Sequence, residues 1–383
     1  GPALFYVLWL PYRLTGSSSA SIQFAALVVN GAAVVGIALV ARRRGGLPLV
    51  LLTLVLLGLM VRSSGALFFR DPWNPSITVL PFVLLVFLAW SISARERWAV
   101  PVATGVASFL VQTHVSYALP SVTVVGVGLA GVAVTEWRRR GDEHLRERIR
   151  VWRGALVATG AVLVVFWAPT VIQQLTHDPG NLGTLISFFR EHGRAQSYSD
   201  SWHVVASQLG VWPEWLRGAS RVSIFTGAVD LRGGAPVPVA GLALAGATVF
   251  AWFRARDALR LDCIVGAALL TAFIAVSRIF GEIFPYLVRW TWALGMLTWL
   301  AIAWTVAAAW RSQPLPRTDR DRLVGQVALA VFAVGLVSLS VANTVSAARA
   351  GNLDPRASKA VPVFSRAVRD ALPPGNGVVE IRG

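Results

Sequence analysis

The stretch SIQFAALVVNGAAVVGIALVARRRGGLPLVLLTLVLLGLMVR, residues 21–62, decides what kind of protein this is. Two runs, 21–41 and 47–62, are apolar almost throughout, and Arg42, Arg43 and Arg44 stand between them. A helix crossing the hydrocarbon core of a bilayer needs about 20 mostly apolar residues. The pair therefore reads as two spans joined by a basic turn. Eight further segments repeat the pattern, at 77–94, 98–117, 119–137, 152–170, 236–253, 261–279, 287–310 and 323–345. Four other stretches are too polar or too short.

Composition agrees. Of 383 residues, 55% are apolar and only 14% charged, against about a quarter charged in an ordinary soluble domain. A net charge of +16 would suggest a nucleic-acid partner in a soluble chain. Here the basic residues sit between apolar runs, so they report topology and no nucleic acid is expected. The single cysteine, Cys263, excludes an internal disulfide framework and a Cys-based metal cluster. All but one of the 35 basic residues are arginine, Lys359 being the exception. With abundant Ala, Val and Gly, that bias points to a GC-rich bacterial genome.

The arginines set the orientation. Placing Arg42–Arg44, Arg95 and Arg97, the run Arg138–Arg153, Arg254–Arg260 and Arg311–Arg322 in the cytoplasm puts 19 basic residues there. The short outer loops keep Arg13, Arg62, Arg70, Arg278 and Arg289, as the positive-inside rule expects. The first span then runs inward and ends at Arg42, so Gly1–Leu14 cannot be an inward span before it. Pro2 suits a first helical turn, Pro11 ends the run, and Leu4, Phe5, Leu8, Trp9 and Tyr12 form a stripe. This is the pattern of a short helix lying at the outer interface. The chain begins with Gly and opens directly into apolar sequence, so it reads as a window on a longer protein.

Two larger pieces fall outside. Residues 171–235 carry one amphipathic helix from Asn181, with Leu182, Leu185, Ile186 and Phe189 on a face and Gly193 past its end. A second begins near Asp200-Ser201 and aligns Trp202, Val205, Ala206 and Leu209. Beyond the last span, Val361, Phe364, Val368 and Leu372 make another helical face. The turn Pro373–Gly377 and an incipient strand, 377–381, follow it. We expect a transmembrane domain over 1–345, with 171–235 as its large outer loop. Residues 346–383 then start a further extracytoplasmic domain.

The opening GPALFYVLWLPYRLTGSSSASIQFAALVVNGAAVVGIALVARRRGG resembles a segment of bacterial GT-C glycosyltransferases, relatives of the protein mannosyltransferases and aminoarabinose transferases of family-39 type. In that family a Pro-rich surface helix precedes the second span and a basic inner loop; Gly1-Pro2, Tyr6, Leu10 and Gly16 stand in the corresponding places. FFRDPWNP (68–75), QTHVSYALP (112–120), APTVIQQLTHDPGNL (168–182) and GEIFPYLVRW (281–290) extend the likeness over nearly the whole chain. The resemblance implies sugar transfer from a polyprenyl-phosphate donor on the outer face, with inversion at the anomeric carbon. Such chemistry needs a carboxylate to deprotonate the acceptor hydroxyl and a cation to stabilise the departing phosphate. The family's acidic base lies in the loop after the first span, a region that would precede Gly1. The resemblance also allows a carboxylate-bound divalent cation.

Among the residues present, Arg70-Asp71, flanked by Phe68, Phe69 and Trp73, is the best local candidate. Either Arg70 meets the donor phosphate and Asp71 orients it or binds the acceptor, Asp71 being also the one catalytic candidate in this window, or the pair is a local ion pair and Asp-Pro turn. Arg289, beginning a span, can grip phosphate or snorkel to the interface and pair with Glu282. Arg278 just before it is a further donor-phosphate candidate. Gln112 and His114 offer substrate contacts or helix–helix hydrogen bonds. Gln174, His177 and Asp178 could serve substrate binding, although Asp178-Pro179-Gly180-Asn181 is better read as a turn into a capped helix. Trp202, Trp212 and Trp215 suit sugar stacking and interfacial anchoring equally. His177, His192 and His203 are not spaced as metal ligands.

Two signals are set aside. Gly126–Gly131 matches G-x-G-x-x-G but lies inside a span with no preceding strand, so close helix packing explains it. The run Arg138–Arg153 is a topology determinant and an anionic-lipid contact rather than a nucleic-acid patch. The sequence thus describes an all-α polytopic protein of the bacterial plasma membrane. Its partners would be membrane lipid, a polyprenyl-phosphate-linked sugar and an envelope glycan, lipid or protein acceptor. A transporter or flippase of lipid-linked sugars and a non-catalytic envelope scaffold are the alternatives; the first lacks support from repeats or mid-span charges.

Overall fold

Long apolar runs can satisfy their backbone hydrogen bonds in lipid only as helices or closed barrels, and here every one is helical. The computed structural model describes residues 1–15, 18–138, 145–178, 180–191, 196–217, 227–231, 234–311, 318–351 and 355–371. No β-strand occurs among them. In chain order the helices are α1 (Ala3–Leu14), α2 (Ser19–Ser64), α3 (Asn74–Ile77), α4 (Val79–Ser93), α5 (Ala99–Thr113) and α6 (Ala118–Arg138). Then come α7 (Leu145–Thr176), α8 (Asn181–Glu191), α9 (Tyr198–Ser207), α10 (Glu214–Arg217) and α11 (Val239–Arg254). The last are α12 (Arg256–Val276), α13 (Pro285–Val288), α14 (Trp290–Arg311), α15 (Asp319–Arg349) and α16 (Pro355–Ala371). Counting α3 with α4 and α13 with α14, 7 helical stretches among the described residues are long and apolar enough to cross a membrane. Helices α1, α5 and α11 are apolar but shorter.

The 46-residue α2 turns back on itself. At 1.5 Å per residue a straight helix would hold Asn30 about 51 Å from Ser64. Instead Asn30 Nδ2 donates to the Phe69 carbonyl (2.9 Å), only five residues beyond Ser64. The reversal falls at Gly46, whose φ of 69° and ψ of −161° suit only a residue without Cβ. The two halves therefore correspond to the first two apolar segments, and each of the other eight has its own helix.

Helix α4 is the centre. Its Leu80, Phe82, Leu85, Phe87 and Trp90 are fully buried, surrounded by α2, α5, α6, α12 and α14. Close approach depends on small residues: a Cβ on Gly128 of α6 would come within 2.8 Å of the Ala89 carbonyl, and one on Gly131 within 2.9 Å of Ser93 Cβ. Gly126 faces open space. The glycine motif is thus a packing seam, as its position in an apolar helix implies.

The basic segments collect at one end of the bundle. Arg44 pairs with Asp257 and with Glu96 at 3.4 Å, and Arg43 stands over the Trp98 ring (4.9 Å). Arg95 pairs with Glu136 at 2.5 Å, and Arg311 donates to the Gly45 carbonyl (3.2 Å). The sides tell equally of their surroundings. Helix α15 buries no residue although it is apolar, and Phe253 is 76% exposed. Contiguous apolar faces on this scale belong in an apolar solvent.

Some boundaries differ from the sequence reading. Helix α12 starts at Arg256, five residues before the expected span, because ion pairs to Arg44 and Arg260 absorb Asp257. Helix α5 stops at Thr113: His114 is extended (φ −150°, ψ 121°) and its Nδ1 accepts from Ser116 N (3.3 Å), opening a short 3-10 turn. Helix α15 runs from a Thr318–Asp321 capping box to Arg349, past the expected boundary at 345. On α1 the exposed face is Phe5, Tyr6, Trp9, Leu10 and Leu14; Leu4, Leu8 and Tyr12, expected on the exposed stripe, are half-buried where α1 packs on α2 and α5. Helix α9 starts at Tyr198, capped by Ser197. Gly16, Pro179, His192, Gly193, Leu372 and the segment 373–381 lie outside the described residues, as does the Phe189 side chain.

Candidate functional site

Opposite the arginine-rich end, three short elements meet the start of α14. A 3-10 turn, Phe68–Arg70, packs on α2 and on α3, and α3 touches α13. The turn exists because Gly65 (φ 101°) reverses the chain after α2 and Pro72 and Pro75 allow no long helix before α4. Between these elements lies Arg289, 5% exposed. Its Nη1 donates to Ser76 Oγ (3.3 Å) and its Nη2 to the Ser64 carbonyl. The guanidinium lies 4.7 Å from the Phe68 ring centroid and 6.0 Å from that of Trp292. Asp71 is near enough for its charge to act on it. Arg289 does not pair with Glu282, which is exposed; it ties the turn to α14 instead.

Arg70 is half-buried. Its Nη2 donates to the Ala350 carbonyl (3.3 Å), while its Nε is buried without a hydrogen-bond partner. Asp71 Oδ1 accepts from Trp73 N (3.1 Å), an Asx turn that sets the direction of the following prolines' segment. Trp73 packs against Tyr286 (4.9 Å, 51°), which stacks on Phe284 (5.7 Å, 9°). The sequence candidates Arg70, Asp71 and Arg289 therefore fall in one charged cluster at this end of the bundle, with the Phe68 and Trp292 rings against Arg289.

His114 joins the same end. Asn74 Nδ2 reaches the Thr113 carbonyl (3.4 Å), which ties α3 to the end of α5. The His114 ring meets Tyr117 edge-on (6.1 Å, 89°), and Tyr117 in turn contacts Trp290 (5.8 Å). Burial pushes the His114 pKa below its ordinary 6.5. With Nδ1 accepting from Ser116, the neutral ring carries its proton on Nε2.

The remaining candidates are placed elsewhere or otherwise engaged. Gln112 Nε2 donates to the Phe166 carbonyl (2.7 Å) and links α5 to α7. Gln174 Oε1 accepts from Leu182 N (2.7 Å), and Gln173 Oε1 from Asn181 N (3.0 Å); together they cap α8. His177 and Asp178 are exposed in the turn between α7 and α8, and His177 Nδ1 meets Thr176 Oγ1 (2.9 Å). Arg278 is exposed just past α12. Of the three tryptophans, Trp215 is core at 2% exposure, packed on Gly295, and Trp202 and Trp212 are exposed.

One carboxylate escaped the sequence reading. Glu214 Oε2 accepts from Trp292 Nε1 (3.1 Å) and Gln208 Nε2 (2.8 Å), one turn along α14 from Arg289. Ser63 Oγ donates to the Leu216 carbonyl (3.0 Å), so α10 closes over the ends of α2 and α14. The Trp212-Pro213-Glu214-Trp215 sequence was the available signal, since an acid between tryptophans at a membrane boundary needs a donor such as an indole. A second acid, Asp262, is 1% exposed within α12 and accepts from Thr305 Oγ1 (3.1 and 3.0 Å). Among the described residues no three His, Cys, Asp or Glu side chains are grouped to hold a metal ion.

Comparison with known protein families, curated proteins and solved structures returns no match.

Proposed function

We propose that this chain is the membrane domain of a glycosyltransferase that takes a sugar from a polyprenyl-phosphate donor at the extracytoplasmic face. The observation that carries the reading is the Arg70–Asp71–Arg289 cluster at the end of the bundle remote from the basic loops, which we take as the recess for the donor phosphate. The 22 residues of α14 separate Arg289 from Arg311 by about 33 Å, close to the ~30 Å of a hydrocarbon core. With the arginine-rich end in the cytoplasm, and with all ten apolar helical stretches spanning, the recess lies at outer headgroup depth in a bacterial plasma membrane. A lipid-linked phosphate arrives at that depth.

Arg70, half-buried and held by a single backbone contact, is the group that contacts the phosphate; Arg289, whose terminal nitrogens bond Ser76 and Ser64, contributes fixed positive potential and holds the turn. In the reaction the acceptor hydroxyl oxygen bonds to the anomeric carbon while the carbon–oxygen bond to phosphate breaks. The polyprenyl phosphate leaves with the bonding pair, and the hydroxyl proton passes to a carboxylate. Asp71 orients the recess; the resemblance places the base before Gly1. His114 Nε2, exposed Arg278 and Glu282, and the aromatic wall of Trp73, Phe284 and Tyr286 are the sugar-facing candidates.

Binding tests the assignment. Polyprenyl phosphate should bind the full-length protein, and Arg70→Ala should weaken it about tenfold or more, the loss of one charge-assisted hydrogen bond. Equal affinity in the variant would remove Arg70 from the site. A second reading, movement of a lipid-linked sugar between leaflets, draws on Asp262, a buried acid inside an apolar helix. Asp262→Asn separates the two: it should abolish movement under that reading and spare transfer under ours.

A further inference from the structure

At the arginine-rich end, α6, α11 and α12, with Ser93 of α4, line a groove of about 390 Å³. Val127, Ala130 and Val134 of α6 form one wall, and Leu259 and Ile264 of α12 the other. Arg138, Arg256 and Arg260 stand at its mouth, beside the exposed Trp252. Among the described residues, Arg260 pairs with Asp257 at 3.6 Å, whereas Arg138 and Arg256 have neither an ion pair nor a side-chain hydrogen bond. Arg44 at the same end is matched by Asp257 and Glu96, and Arg95 by Glu136; Arg42, Arg150 and Arg153 also lack an ion pair among the described residues, but they do not line the groove. Two cations without an ion pair among the described residues thus stand where apolar walls run inward from a charged rim.

Length fits a specific occupant. From Arg138 back to Val127 the α6 wall extends eleven residues, about 16 Å, and half of a ~30 Å hydrocarbon core is about 15 Å. The groove is one leaflet deep. An interfacial indole at the rim and guanidinium groups above an apolar slot match an acyl chain below a phosphate headgroup. We propose that this groove is a binding site for one anionic phospholipid of the adjacent leaflet, its phosphate held by Arg138 and Arg256 and an acyl chain lying between α6 and α12. The proposal is independent of sugar transfer and concerns the opposite end of the bundle.

Cys263, the chain's one cysteine, is exposed and lines the groove, so it reports occupancy directly. The full-length protein is placed in nanodiscs of phosphatidylcholine, with or without a fraction of phosphatidylglycerol, and the rate of Cys263 modification by a membrane-permeant maleimide is followed. Phosphatidylglycerol should slow modification several-fold, and the Arg138→Gln/Arg256→Gln variant should react at one rate in both lipids. Arg138→Lys/Arg256→Lys, which keeps the charges, should retain most of the protection. Equal rates for the unaltered protein in the two lipids, or protection that survives the glutamine variant, would overturn the proposal. Protection by soluble glycerol phosphate in phosphatidylcholine nanodiscs would overturn it in favour of a free anion.

Discussion

Arg70 and Arg289 are both cations of one recess, yet their surroundings assign them different work. Arg289 is buried and bonds Ser76 and Ser64, so Arg289→Met strands those groups and should cost about 2–3 kcal/mol of stability. Arg70→Ala removes a half-buried side chain with one backbone contact; unfolding in detergent should shift little while donor binding falls. Finding the two variants equally destabilised would contradict that division. His114 gives a pH-dependent prediction. Its pKa is lowered by burial, so between the folded and unfolded values the unfolded chain holds more protons. Stability from the neutral ring is complete above about 6.5 and drains away as pH falls toward the folded pKa. His114→Gln should flatten the acid limb of a melting-temperature profile; an unchanged limb would place the titration elsewhere. Arg70, Asp71 and Arg289 stood out in the sequence because charges at the outer span ends are few, whereas charge beside an aromatic residue is common at the basic ends, as at Trp137-Arg138 and Trp310-Arg311. Glu214 did not: its place between Trp212 and Trp215 signals a need for a donor, but the partner, Trp292, lies 78 residues away and the local sequence does not name it.

At the scale of elements, glycine chemistry separates packing from turning. Gly128 sits against the Ala89 carbonyl and Gly126 faces open space. Gly128→Val should therefore destabilise the α4–α6 contact by about 1–3 kcal/mol, while Gly126→Ala should be neutral or slightly stabilising by helix propensity. Thermal unfolding of the two variants checks this, and similar losses would mean that the seam does not matter. The apolar cores of the helices were readable from their length alone. Their ends were not: α12 gains a turn because Arg44, more than 200 residues away, neutralises Asp257, and α5 loses one because His114 prefers to bond its own backbone. The face of α1 could not be phased either, because Leu4, Phe5, Leu8 and Trp9 are all apolar and only contacts with α2 and α5 choose among them.

For the whole molecule, the alternation of arginines along the sequence has a spatial counterpart. Segments separated by hundreds of residues, around Arg44, Glu96, Asp257 and Arg311, meet at one end, while Phe69, Ser64, Arg289 and Leu216 meet at the other. Cysteines introduced singly for Arg97 and Glu282 in a cysteine-free background should react with an impermeant thiol reagent on opposite sides. Arg97→Cys should label only after cells are opened and Glu282→Cys in intact cells; the reverse pattern would place the recess in the cytoplasm. The central claim is that this recess supports bond cleavage at a lipid-linked sugar. Full-length protein in proteoliposomes, given polyprenyl-phosphate donors carrying labelled sugar and an envelope acceptor fraction, answers it. We expect label to pass to the acceptor with release of polyprenyl phosphate, and the rate to fall at least tenfold in Arg70→Ala. Donor that stays intact while it changes leaflets, or an Arg70→Ala protein as active as the unaltered one, would contradict the account.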